Sequence, residues 1–170
     1  MSFLRLLPIT FVMALTGATP LRGQLPGSDR VRVQVTVQTE TERKNLKGTH
    51  TDRITEHRTL AIRLTGKILN PETRMARWTI YGKDLQTNKI TTLGTEEVPL
   101  ALGQDGTQAV ASKRISTTFT PDHILSHGKN REAGKVAAEG VKYLGYAVHV
   151  SHGEKIVGEA SDPPGVDKRK

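Results

Sequence analysis

Two segments constrain the fold of this chain most. Thr59–Thr65 (TLAIRLT) sets Leu60, Ile62 and Leu64 against Ala61, Arg63 and Thr65, and Ala76–Asp84 (ARWTIYGKD) sets Ala76, Trp78 and Ile80 against Arg77, Thr79 and Tyr81. Successive side chains of a strand point to opposite faces, so this period of two describes a pair of half-buried β-strands, with a turn expected at Asn70-Pro71 between them. Trp78 is the single tryptophan and falls mid-strand, where the core of a two-sheet sandwich needs bulk. Leu60, Ile62, Leu64, Trp78 and Ile80 are therefore expected in the core.

Other segments repeat the pattern. Val31, Val33, Val35 and Val37 alternate with Arg32, Gln34, Thr36 and Gln38, and β-branched residues suit an extended chain. Glu40–Glu56 is almost wholly polar around Lys47-Gly48, which predicts either a hairpin whose arms run past the core or a disordered loop. Gln86–Asn88 reads as a turn, and Pro99 demotes Val98–Leu102 to an edge strand or a crossing segment. Gly103–Gly106 reads as a turn, and in Thr107–Thr120 the residues Ile115, Thr117 and Phe119 share a side. Pro121–Gly140 breaks the rhythm as a long loop or short helical turn through His123–Ser126. Val141–Val150 resumes, with Leu144, Tyr146, Val148 and Val150 expected inward, and His152-Gly153 turns into Glu154–Ala160. About seven extended segments separated by turns predict an all-β sandwich over residues 31–162. Residues 24–30 form a flexible lead, and residues 163–170 form a charged tail with no core to join.

The front of the chain is different in kind. A basic start at Arg5, the apolar run Leu6–Leu15 and the small residues Thr16-Gly17-Ala18 read as a secretory signal peptide over residues 1–23, cleaved after Ala18 or Gly23. The run is shorter than a bilayer-spanning helix. Absence of cysteine excludes a lipid-modified cysteine anchor and disulfides, which favours a bacterial periplasmic or secreted product that is not a lipoprotein. Removing Arg5 and Arg22 leaves 23 basic against 17 acidic residues, so the charge falls from +8 to +6. Those positive residues are scattered and interrupted by Glu40, Glu42, Asp52 and Glu56. A nucleic-acid footprint needs a concentrated stripe, so no nucleic-acid partner is expected.

The run RTLAIRLTGKILNPETRMARWTIYGKD, followed by KYLGYAVHVSHGEKIVGEASDP, resembles small secreted immunoglobulin-like proteins of Verrucomicrobia and related bacteria, some encoded near type IV pilus or type II secretion genes. The shared marks are a Leu-x-Ile-x-Leu strand, an Asn in the next turn, an Ala-x-Trp-x-Ile strand and a Tyr-Leu-Gly-Tyr strand ending in a hairpin. The resemblance implies an immunoglobulin-like sandwich and an envelope location, and no activity. The cysteine pair and the tyrosine corner of antibody domains are lacking.

Chemistry-bearing residues are few. His123 with His127, and His149 with His152, are the close histidine pairs, with Asp122 and Glu154 as the nearby carboxylates; a structural zinc site needs four ligands, so no metal or cofactor is expected. The serines after residue 23 (Ser28, Ser112, Ser116, Ser126, Ser151 and Ser161) lie in no nucleophile elbow. Glu96 and Glu97 are adjacent on an extended chain and so face opposite ways. The remaining candidate is a sheet face. If the strands Ala76–Tyr81 and Val141–Val150 are neighbours, Arg77, Thr79 and Tyr81 share a surface with Tyr143, Ala147 and His149, and tyrosine and arginine are enriched at interfaces. The sequence thus predicts a non-enzymatic binding or scaffold module with a protein partner in the cell envelope or secretion apparatus. A small metal-dependent hydrolase or ligand-binding protein using the 121–140 loop is the alternative.

Overall fold

A computed structural model describes residues 30–46, 51–66, 74–102, 106–125 and 134–169. The expected signal peptide, most of the expected lead, Lys47-Gly48, Asn70-Pro71, Ser126 and His127 lie outside the described residues, as does most of the Gly103–Gly106 stretch.

Alternating stretches become strands at the places where they were expected. In chain order they are β1 (Val31–Asn45), β2 (Asp52–Gly66), β3 (Arg74–Asp84), β4 (Ile90–Pro99), β5 (Thr107–Ala111), β6 (Ile115–Thr120), β7 (His123–Leu125), β8 (Gly134–Val136), β9 (Glu139–His152) and β10 (Lys155–Asp162). The polar Glu40–Glu56 stretch is a hairpin: β1 and β2 stay paired from Val31↔Gly66 out to Asn45↔Asp52. Among the described residues β4 pairs only with β3, as Pro99 at its end foretold for an edge strand. The helical turn expected at His123–Ser126 is not formed by its described part, where His123–Leu125 is β7 and pairs with β8.

Strands β1–β6, β9 and β10 form one antiparallel sheet that doubles over into two layers. One layer is β1-β2 with β5 and β6 in succession along the free side of β2; the other is β10-β9-β3-β4. The rungs Phe119↔Gly140 and Thr120↔Glu139 join them. With β5 and β6 taken as one interrupted strand, these are the pairings of an immunoglobulin-like sandwich, A-B-E against G-F-C-C′.

The core lies between the layers. Leu60, Ile62 and Leu64 from β2 meet Ala76, Trp78 and Ile80 from β3 and Tyr146, Val148 and Val150 from β9, with Trp78 only 1% exposed. The indole N–H of Trp78 donates to Glu96 Oε1 at 3.4 Å, and the same carboxylate accepts the Lys113 backbone N–H at 2.8 Å. That contact ties β4 to the break between β5 and β6. β10 closes on the start of β1 at Gly158, where a side chain would collide with the Val31 carbonyl. Beyond the apolar core the interlayer space turns polar. Arg58 pairs with Glu56 at 2.7 Å, donates to Thr39 Oγ1 at 3.2 Å, and lies 4.1 Å over the Tyr143 ring.

Two expectations are corrected here. The chain after Asp162 is not an unattached tail: residues 163–165 turn back and the 3-10 turn Val166–Lys168 docks on the outward side of β3 and β9, with Val166 fully buried. The inward and outward assignments within β9 also change. Tyr81 pairs with Gly145 but Gly82 pairs with Tyr143, so Leu144 is an extra residue, a β-bulge. A one-residue slip exchanges faces. Tyr143 consequently packs on the main core, and Leu144 packs outside with Tyr81, Ala147 and Val166.

Candidate functional site

The sheet face proposed from sequence exists, because β3 and β9 are antiparallel neighbours over eleven pairs, from Arg74↔His152 to Asp84↔Val141. Its membership differs. Arg77 is exposed, Thr79 is half-buried with its hydroxyl 3.3 Å from that of Thr95, and His149 is half-buried with Nε2 3.6 Å from Asp167 Oδ2. Tyr81 does point to the outward side, yet it is 5% exposed because Val166 covers it; Ala147 is covered in the same way. Tyr143 leaves the face altogether, turned inward by the bulge.

The burial of Tyr143 has an electrostatic signature. Its hydroxyl has no hydrogen-bond partner among the described residues, and desolvation pushes its pKa well above the usual phenol value of 10.0, against the opposing pull of the Arg58 guanidinium. Tyr146 is raised as well, by desolvation first and by the Asp162 carboxylate second. Burial thus favours the neutral form of both phenols.

What remains open on the outward face is set by register. One row runs Glu159, His149, Arg77, Glu97 across β10, β9, β3 and β4, and the next toward the end of the sandwich runs Ile156, Ser151, Met75, Pro99. Ile156 is 53% exposed, the large apolar side chain most open to solvent among the described residues. The surface is therefore a charged row beside a small apolar row, framed by the docked 3-10 turn. Sequence reasoning missed Glu97, Glu159, Met75 and Ile156. Alternation places Glu97 and Met75 outward with Arg77, but a bulge at Val157 separates Ile156 from Glu159 and hides their relation.

Beside this surface, Tyr81 also lines a shallow open depression of about 570 Å³ with Asn88, Lys89, Ile90, Thr91, Thr92 and Arg169. Its rim is the β3–β4 turn, which Asp84 organises. One carboxylate oxygen of Asp84 accepts the backbone N–H groups of Gln86 and Thr87 and the Thr87 hydroxyl. These bonds, that from the Thr87 backbone foremost, hold the Asp84 pKa below its ordinary 3.8. Of the two histidine pairs, His123 with His127 lies only in part within the described residues. His123 Nδ1 donates to the Pro121 carbonyl at 3.2 Å, and among the described residues no three His, Asp or Glu side chains are placed to hold a metal ion. Among the same residues no helix is long and apolar enough to cross a membrane.

No known family model matches the chain, and no curated protein matches it. Among solved structures it is similar to a putative beta-galactosidase from Bacteroides fragilis, at 16% identity and a TM-score of 0.35. The likeness covers 79% of this chain and 15% of the other, and at that TM-score it carries no argument.

Proposed function

We propose that this protein is a binding or scaffold module of the bacterial cell envelope, and that it docks a protein partner on the outward face of the β10-β9-β3-β4 layer. The supporting observation is the register of that face, which sets the charged row Glu159, His149, Arg77, Glu97 beside exposed Ile156 and its neighbours Met75 and Pro99. An apolar anchor flanked by charges of both signs has the composition of a transient interface, where the apolar contact supplies affinity and the charges fix orientation. The resemblance to secreted immunoglobulin-like proteins encoded near pilus and secretion genes supports a partner in that machinery, and the signal-like first 23 residues support a periplasmic or secreted location.

The test is crosslinking in the envelope fraction with wild type and an Arg77→Glu/Ile156→Asp double variant. Both substitutions lie on the solvent side of their strands and leave the core intact. The same crosslinked species should be recovered with wild type and lost with the variant. Equal recovery from a variant of unchanged melting temperature refutes the proposed face.

A further inference from the structure

The outward face of the other layer carries an arrangement that the binding reading does not use. His57 (β2) has its Nδ1 2.7 Å from Ser116 Oγ (β6) and its Nε2 3.3 Å from Glu42 Oε1 (β1). Both nitrogens are engaged, and the assignment of protons follows from the partners. A carboxylate can only accept, so in the neutral imidazole Nε2 carries the hydrogen and donates to Glu42, and Nδ1 is then the bare lone pair that accepts from the Ser116 hydroxyl. The order hydroxyl, imidazole, carboxylate is that of a nucleophile, its base and the group that orients the base.

Neighbouring side chains favour that order. The carboxylate paired directly across from His57 is Glu40, not Glu42. Glu40 is taken by Arg114, whose Nη2 lies 2.8 Å from Glu40 Oε2, which leaves the imidazole to Glu42 two residues along. The His57 side chain is only 16% exposed and so is held in place, while Ser116 is open to solvent. Donors lie on both sides of the serine. Arg114 has five N–H groups and stands two residues before Ser116. Two residues after it, the Thr118 hydroxyl is 3.0 Å from that of Thr55, and since one donates to the other, one hydrogen of the pair is left for another acceptor.

We propose that Ser116 is an activated nucleophile that accepts acyl groups from small activated esters, with His57 as general base and Glu42 as positioning residue. Ser116 Oγ attacks the acyl carbonyl carbon as its proton passes to His57 Nδ1. Collapse of the adduct breaks the bond to the leaving alcohol, which takes that proton from His57. Water, deprotonated by His57, then releases the carboxylic acid and restores Ser116. Arg114 and the threonine pair are the donors for the transient oxyanion. The solvent-open position of Ser116 admits short esters. This activity is independent of the partner face on the opposite layer.

The experiment is labelling of the whole protein with diisopropyl fluorophosphate, in which Ser116 Oγ displaces fluoride from phosphorus and the proton leaves with fluoride. The adduct is mapped by mass spectrometry, and turnover of p-nitrophenyl acetate is measured in parallel. A single adduct on Ser116 is expected. His57→Gln should slow labelling about 100-fold, the usual contribution of a positioned base. Glu42→Gln should slow it by a smaller factor and alter the pH profile, which loss of a merely structural hydrogen bond does not do. Ser116→Ala should abolish both signals at an unchanged melting temperature. Mapping on the wild-type protein requires no variant to fold. An adduct spread over other serines or tyrosines, no adduct at all, or a rate indifferent to His57→Gln overturns the proposal.

Discussion

Val166→Ala tests whether the C-terminal turn is part of the fold. Val166 is 0% exposed and packs with Tyr81 and Ala147, and partly with Ile90 and Leu144. The substitution deletes two methyl-sized groups at about 0.8 kcal/mol each, and the cavity left under a turn that relaxes only in part raises the loss to about 2 kcal/mol. A domain of this size moves about 3–5 °C per kcal/mol, so the melting temperature should fall by about 6–10 °C. Circular dichroism at 218 nm follows the sheet directly (roughly the usual β-strand minimum). Tyr81 supplies a second readout: tetranitromethane should nitrate it slowly in wild type and quickly in Val166→Asp, which ejects the turn by burying a charge. A fall below about 1 °C, together with fast nitration of Tyr81 in wild type, refutes the docked arrangement. In that case Tyr81 returns to the open face.

Three further variants have expected outcomes. Tyr143→Phe removes a buried hydroxyl that has no partner among the described residues, so urea denaturation should show neutral or higher stability, not the loss expected of a hydrogen-bonded tyrosine. Because the folded-state pKa of Tyr143 is raised, its contribution is complete below the ordinary 10.0 and is lost as pH rises beyond it; Tyr143→Phe should blunt alkaline unfolding above pH 10.0. Asp84 has the opposite sign: its lowered pKa gives stability that is present above 3.8 and lost as pH falls through the folded value, so Asp84→Asn should flatten the acid limb of a melting-temperature profile below pH 3.8. Trp78→Ala, at the centre of the core and 1% exposed, should cost about 3–5 kcal/mol by denaturant titration.

Local alternation was enough to place the core. Leu60, Ile62, Leu64, Trp78, Ile80, Val148 and Val150 are all buried where a period of two puts them, because strand geometry alone decides which neighbours share a face. Alternation did not make β3 and β9 neighbours, which from sequence was only a condition, and the edge position of β4 follows from Pro99, which cannot donate to a ladder. Alternation failed at Leu144. A bulge is a property of how two strands pair, not of either strand's composition, and one extra residue moved Tyr143 inward and Leu144 outward. It failed again at the C-terminus, where one valine among charged and turn-forming residues carries no periodic signal, yet tertiary contact buries it over Tyr81.

The chemistry followed the same division. Sequence supplied the residue types and the outward facing of Arg77, Thr79 and His149 within a β-sandwich. Only the folded sheet decided that Glu42, His57 and Ser116, drawn from three strands with the histidine and the serine 59 positions apart, stand within hydrogen-bond reach. Proximity of this kind depends on which strands lie side by side and in what register, and those are set by long-range packing that no local pattern encodes.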